Sequence, residues 1–211
     1  MLDPILKHLL QGITLIEDEY GAVNRIFAKQ LGAFAKTSGK NVLFLEPPSS
    51  ASLAGGVEGG EEFEGFESVP EQSLENSGAG QKNTVVYRTE ERYLPFEELN
   101  FDLIVFDSFS SYIFAMSEKE IVDLMEEIVR LSKNGKSFVL TSESPMLSER
   151  VNAFIRANSD SVIIVRAEIA QNKINRTLYI PKMFGTRPMD RVVKITVEDD
   201  GVDIDTREFV G

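Results

Sequence analysis

The apolar positions along the chain change period several times, and each change marks an element. Residues 2–11 set Ile5, Leu6, Leu9 and Leu10 at three- and four-residue spacing, the period of a short amphipathic helix. Residues 12–17 (GITLIE) form a compact apolar run, which predicts a buried strand. A helix over 22–38 follows, with Ile26, Ala28, Leu31 and Phe34 inward and Gly39 as its stop. Residues 41–46 (NVLFLE) read as a second buried strand, 83–88 as a third and 101–107 (FDLIVFD) as a fourth. The helix over 117–132 opens with Ser117 three residues before Glu120, the spacing of a capping box. Residues 137–141 (SFVLT) predict a fifth strand and 145–157 a helix. From Ser161 onward only strands are predicted, over 162–166, 175–183, 191–197 and 202–206. Asp200-Gly201 is a hairpin signal between the last two.

Continuous apolar strands alternating with helices imply an α/β fold, a parallel sheet covered on both faces. The closing run of strands implies an antiparallel C-terminal extension. One segment breaks the pattern. Residues 47–82 hold seven Glu, seven Gly, six Ser and three Pro against one Lys, and show neither period. Composition makes this a flexible acidic insertion within a single domain spanning 1–211. Its centre, 61–67 (EEFEGFE), mixes acids with aromatics. It reads either as a solvated spacer or as a docking motif for a basic partner.

Charge and composition then narrow the function. The formal net charge is -12, and the insertion carries half of it. Such a balance argues against direct binding to a nucleic-acid backbone, which needs clustered Lys and Arg. No basic groove with interleaved stacking aromatics is visible either. There is no cysteine, which excludes a thiolate metal site and a catalytic thiol. The single histidine, His8, excludes a multi-histidine metal site. The longest apolar stretches, such as 112–116 (YIFAM), are far short of the roughly 20 residues a membrane helix needs, so no membrane insertion is expected. Residues 1–21 lack the basic start of a signal peptide, and the expected compartment is the cytoplasm.

In a parallel α/β sheet the functional positions lie at the carboxyl ends of the strands. Three stand out. The loop 17–25 (EDEYGAVNR) joins the first strand to its helix, Glu46 ends the second strand, and Asp107 ends the fourth. Taken alone, Glu46 and Asp107 are acids of the kind that commonly mark a strand end.

The order of these pieces, together with LEPP (45–48), DSFSSY (107–112), SFVLTSES (137–144) and KMFGTRP (182–188), resembles the KaiC-like branch of the RecA-superfamily P-loop ATPases. The resemblance runs from about residue 12 to residue 202. It implies a RecA-like core, with nucleotide sites between neighbouring subunits of a ring. By the same resemblance Asp107 matches the acid that organises Mg²⁺, and Glu46 the acid that polarises the attacking water. Lys182 matches a residue that relatives supply to the neighbour's phosphate, and Arg187 keeps the later basic position of the family's Lys-Met-Arg-Gly-Thr-Arg run, whereas Phe184 replaces its first Arg.

The phosphate loop departs from the family pattern, G-x-x-x-x-G-K-[ST]. Asp18 and Val23 fall on its two glycines, Asn24 on its lysine and Arg25 on its hydroxyl residue. Only the inner Gly21 suits such a loop. A β-branched Val23 opposes a wrapped anion loop. Asn24 removes the cation that contacts phosphates, and Arg25 the hydroxyl that holds Mg²⁺. Glu17, Asp18 and Glu19 are expected to set three carboxylates at the helix N-terminus, each favoured by the dipole by about 0.3–1 kcal/mol. An incoming triphosphate would meet each at a cost of about 4 kcal/mol at 4 Å before relaxation.

The expectation is therefore a non-hydrolysing homologue without a cofactor, acting through a protein partner or as a homo-oligomer. ATP and Mg²⁺ remain the alternative, in a divergent enzyme using Gly21, Asn24, Arg25, Lys182 and Arg187 for nucleotide, Asp107 for metal and Glu46 as base. A third reading is a binding module built on the acidic loop. Ser110 and Ser111 have no evident partner base, Ser142-Glu143-Ser144 occupies a strand end near the presumed site, and the acids 199, 200, 203 and 205 read as an exposed hairpin rather than a calcium loop.

Overall fold

The computed structural model describes residues 3–20, 22–46, 67–68, 84–88, 96, 99–170, 173–189, 191–198 and 201–204. Gly21, Asp199, Asp200, Asp205 and the insertion apart from 67–68 lie outside the described residues.

The chain opens with α1 (Asp3–Leu9), β1 (Ile13–Asp18), α2 (Ala22–Thr37) and β2 (Val42–Glu46). β3 (Glu67–Ser68), β4 (Thr84–Arg88) and β5 (Leu103–Phe106) follow. Next come α3 (Phe109–Ile113), α4 (Glu118–Lys133), β6 (Ser137–Glu143), a 3₁₀ turn (Ser144–Met146) and α5 (Glu149–Asn158). β7 (Ser161–Ala170), β8 (Lys173–Lys182), β9 (Val193–Glu198) and β10 (Gly201–Ile204) close it. One sheet holds all these strands in the order β10-β9-β8-β7-β1-β6-β5-β2-β4-β3. Neighbours from β7 through β3 pair in parallel, and β7 through β10 pair antiparallel.

The expected architecture is present, with four differences of local origin. The insertion, expected to hold no packed element, contributes β3 against β4. The helix expected over 145–157 starts late, because Ser148 is extended and caps α5 by accepting from the Val151 N–H, while Pro145 sits in the 3₁₀ turn. The short α3 has too few residues to show a period. The buried face of α2 is turned by about one residue from the expected one. Val23, Phe27, Leu31 and Ala35 are fully buried beside Ala28, and Ile26 and Phe34 pack at the rim.

Two cores flank the sheet. On one face α1 and α2 cover Ile16, Val42, Phe44, Val105, Val139 and Ile163. On the other, α3, α4 and α5 cover Ile13, Leu15, Leu43, Ile104, Phe138 and Leu140. Alternate residues of each central strand thus feed opposite cores, as strand geometry requires. α2 carries the chain from β1 out to β2, whereas α5 carries it from β6 back across β1 to β7. Right-handed crossovers running in opposite directions lie on opposite faces. The loops after β1 and β6 therefore part, and the crevice between them is the place where α/β sheets hold their ligands.

Candidate functional site

The site forms at the carboxyl ends of β1, β6, β5 and β2, on the α2 face. Asp18 closes β1 and is level with Glu143 on β6. Asp18 is fully buried, yet it has two donors. Its carboxylate accepts the Val23 N–H at 2.9 Å and the Tyr20 N–H at 3.3 Å. One free amide of the first turn of α2, that of Val23, is thus met by the chain's own carboxylate, an arrangement that caps a helix and answers its dipole.

Arg25, in the first turn of α2, reaches the two acids on neighbouring strands. Its Nε lies 2.7 Å from Asp107 Oδ2 and its Nη2 3.3 Å from Glu46 Oε1. The Arg25 side chain is half exposed, whereas those of Glu46 and Asp107 are 13% and 8% exposed. The guanidinium is the cation that makes two nearly buried carboxylates tolerable side by side. Burial pushes the Asp107 carboxyl above its ordinary range; Arg25 pulls it down, Glu46 pushes it up and Lys29, one turn further along α2, pulls it down. Asn24 is buried, and neither its Oδ1 nor its Nδ2 has a hydrogen-bond partner among the described residues.

The three consecutive acids do not act together. Glu17 and Asp18 are adjacent on a strand, so they face opposite cores. Glu17 is buried under α5, where Arg156 Nε donates to both its oxygens at 3.0 and 2.8 Å. Glu19 is exposed. Only Asp18 therefore reaches the α2 N-terminus.

A second polar cluster stands beside the first. Ser108, directly after Asp107, has φ 61° and ψ 60°, a left-handed conformation that a serine adopts only under local constraint. The constraint is visible. The Ser108 N–H donates to Thr141 Oγ1 at 2.6 Å, and its hydroxyl donates to Glu143 Oε2 at 3.0 Å. Ser110 also donates to Glu143 Oε2 and accepts the Glu143 N–H. Contrary to expectation, Ser110 does have a carboxylate partner. Ser110 is fully buried, so Glu143 ties the β5–α3 turn to β6 from inside the fold. Neither this hub nor the Glu17–Arg156 pair carries a sequence signal, since each joins residues far apart in the chain.

Lys182 and Arg187 lie elsewhere. Lys182 is level with Val162 near the start of β7, at the amino edge of the parallel sheet. Its Nζ donates to the carbonyls of Ala157 and Ser159, closing the C-terminus of α5. Arg187 is exposed in the loop after β8. The structure thus brings Arg25, Glu46 and Asp107 together, buries Asn24 beside Arg25 in the first turn of α2 without joining it to them, and sets Lys182 at the opposite edge, with Arg187 in the loop that follows it. Of the acids expected to form the C-terminal hairpin, Asp203 lies in β10, paired to β9 as expected. Among the described residues no helix is long and apolar enough to cross a membrane.

These features define an α/β protein with a mostly parallel sheet, an antiparallel C-terminal extension and a strand-end site facing the helix after β1. The family model for the KaiC-type ATPase domain matches residues 88–208, more than half of the chain, and the chain belongs to that family, within the RecA-type P-loop proteins. The matched span includes Asp107, Lys182 and Arg187. The chain is also similar to the solved structure of the flagellar accessory protein FlaH from Methanocaldococcus jannaschii. The TM-score is 0.66 at 14% identity, over 96% of this chain and 95% of that one, a likeness of fold. No curated protein matches the chain.

Proposed function

We propose that this chain is a KaiC-like ATPase homologue that does not hydrolyse nucleotide, and that it serves as a cytoplasmic regulatory or assembly protein through protein–protein contacts. One observation carries the reading: Arg25 sits between Glu46 and Asp107. Two acids that would organise Mg²⁺ and water share a fixed organic cation instead. Asp18 supports it from the other side. Its carboxylate takes the Val23 amide, leaving a like charge where a phosphate would have to approach. The residues present do not fit a Mg²⁺-bound triphosphate. The metal's charge is already supplied by Arg25, the Val23 amide is engaged by Asp18, and Asn24 offers no charge to a phosphate.

Calorimetric titration with Mg·ATP, together with phosphate-release assays, tests this. The expected result is no saturable heat, no turnover and no shift in melting temperature. A bound ligand at 100 times its dissociation constant would add about 2.7 kcal/mol, enough to see by melting. Micromolar binding with turnover that falls in Glu46→Gln would overturn the proposal in favour of a divergent enzyme.

A further inference from the structure

On the face of the sheet away from the candidate site, two buried polar atoms have no hydrogen-bond partner among the described residues: Ser142 Oγ and Asn152 Oδ1. Ser142 is 1% exposed and Asn152 7%. Strand alternation sets Ser142 on the face that carries Phe138 and Leu140, under the helices that follow β5 and β6. Ser142 is level with Glu17 on β1, which shares that face with Ile13 and Leu15. Asn152 lies one turn before Arg156 on α5, and Arg156 reaches Glu17 at 2.8 Å. Asn152 also bonds the chain just beyond Ser142. Its Nδ2 donates to the carbonyls of Ser144 at 3.1 Å and Leu147 at 3.3 Å. Ser142, Asn152 and Glu17 thus share one layer between α5 and the carboxyl ends of β1 and β6.

The two carbonyls fix which way the Asn152 amide points. Turned over, it would set its oxygen against two other oxygens, so Oδ1 must find a donor elsewhere. A buried polar atom left unmet carries its full desolvation penalty, and native folds hold few of them. Two such atoms in one layer are met together when a single small molecule lies between them. The hydrogen-bonding capacity left there suits water. Asn152 Oδ1 only accepts, and the Ser142 hydroxyl has a proton to give. Glu17 keeps lone pairs beyond those that Arg156 Nε engages. A water that donates to Asn152 Oδ1 and to Glu17, and accepts from Ser142 Oγ, makes three bonds, the usual number for a buried water. A cation is disfavoured because Arg156 already meets the Glu17 charge, and an apolar molecule would satisfy neither atom.

We infer that Ser142 Oγ, Asn152 Oδ1 and the Glu17 carboxylate hold one buried water molecule that ties α5 to β1 and β6. α5 is the helix that returns the chain from β6 across β1 to β7, and the water pins this crossover near its start. Glu17 and Ser142 are followed in the chain by Asp18 and Glu143, which are level with each other at the strand ends. The water therefore braces from behind the two strands that present those acids. The inference does not rest on the nucleotide reading and stands or falls separately from it.

A high-resolution crystal structure of the full chain tests it. One ordered solvent peak should lie within hydrogen-bond distance, about 2.6–3.2 Å, of both Ser142 Oγ and Asn152 Oδ1. No peak there, or a direct bond between the two side chains, would overturn the inference. Urea unfolding gives an independent reading. Ser142→Ala takes one partner from the water, and the midpoint should fall by about 0.3–0.5 M. If no water is held, the same change merely removes an unmet hydroxyl, and a midpoint that holds or rises counts against the site. Asn152→Ala should also lower the midpoint, and the double variant should lower it by less than the sum of the two. Strict additivity would mean that the two residues share no molecule. An unchanged circular-dichroism spectrum confirms the fold of each variant.

Discussion

Arg25 is the residue on which the site turns. It neutralises two acids that stand on different strands and have little water around them. Arg25→Ala would remove the guanidinium that both carboxylates share, and urea unfolding should show a loss of about 1–3 kcal/mol. Adding Asp107→Asn to that variant removes one of the two like charges that Arg25 had held side by side. The double mutant should therefore recover stability relative to additivity, with a coupling of at least about 0.5 kcal/mol. Strict additivity would mean that the three groups do not form a unit.

Asp107 also gives a pH dependence whose sign can be fixed in advance. Burial raises its folded value above the ordinary aspartate range, so the folded state holds this proton more tightly than the unfolded chain. Between the two values folding takes up a proton. The favourable contribution is full below the unfolded value and is lost as pH rises through the raised folded one. Stability of wild type relative to Asp107→Asn should thus decline with rising pH across that window, by urea midpoints. A difference that grows with pH would show that Arg25 outweighs burial. At this scale the sequence was partly legible. Asp18 at the helix start was readable because capping is local, and Arg25 was readable as a departure from the loop pattern. The triangle of Arg25, Glu46 and Asp107 was not, because it needs the strand order β6-β5-β2 to be known first.

Among the elements, α4 is the one whose sequence speaks most directly. Ser117 accepts from the Glu120 N–H at 3.3 Å, and Glu120 reaches back to the Ser117 N–H at 2.7 Å. Both halves of the capping box read from the spacing are therefore made. Ser117→Ala should cost about 1 kcal/mol in a thermal or urea melt, with Ser117→Asp close to wild type. No loss in the alanine variant would mean that tertiary packing alone fixes this helix start. The far end of β7 is the opposite case. The expected strand stops at Arg166, because the residues beyond it bury nothing and show no core period. Backbone pairing between β7 and β8 carries the strand to Ala170 regardless. Burial leaves a pattern in sequence, whereas exposed pairing leaves none.

For the molecule as a whole the governing quantity is the net charge of -12, half of it in 47–82. Charge of one sign repels itself across a compact body, and salt screens it with a length of about 10 Å at 0.1 M. The attractive pairs inside the fold are close and partly buried, as with Arg25 at 2.7 Å from Asp107 and Arg156 at 2.8 Å from Glu17, and are screened much less. Added NaCl should therefore raise the melting temperature measured by calorimetry at low protein concentration. Changing Glu61, Glu62 and Glu64 to Gln should consequently flatten this rise. A melting temperature that falls with salt would mean that exposed attractive pairs, rather than net repulsion, dominate the electrostatics of the folded chain.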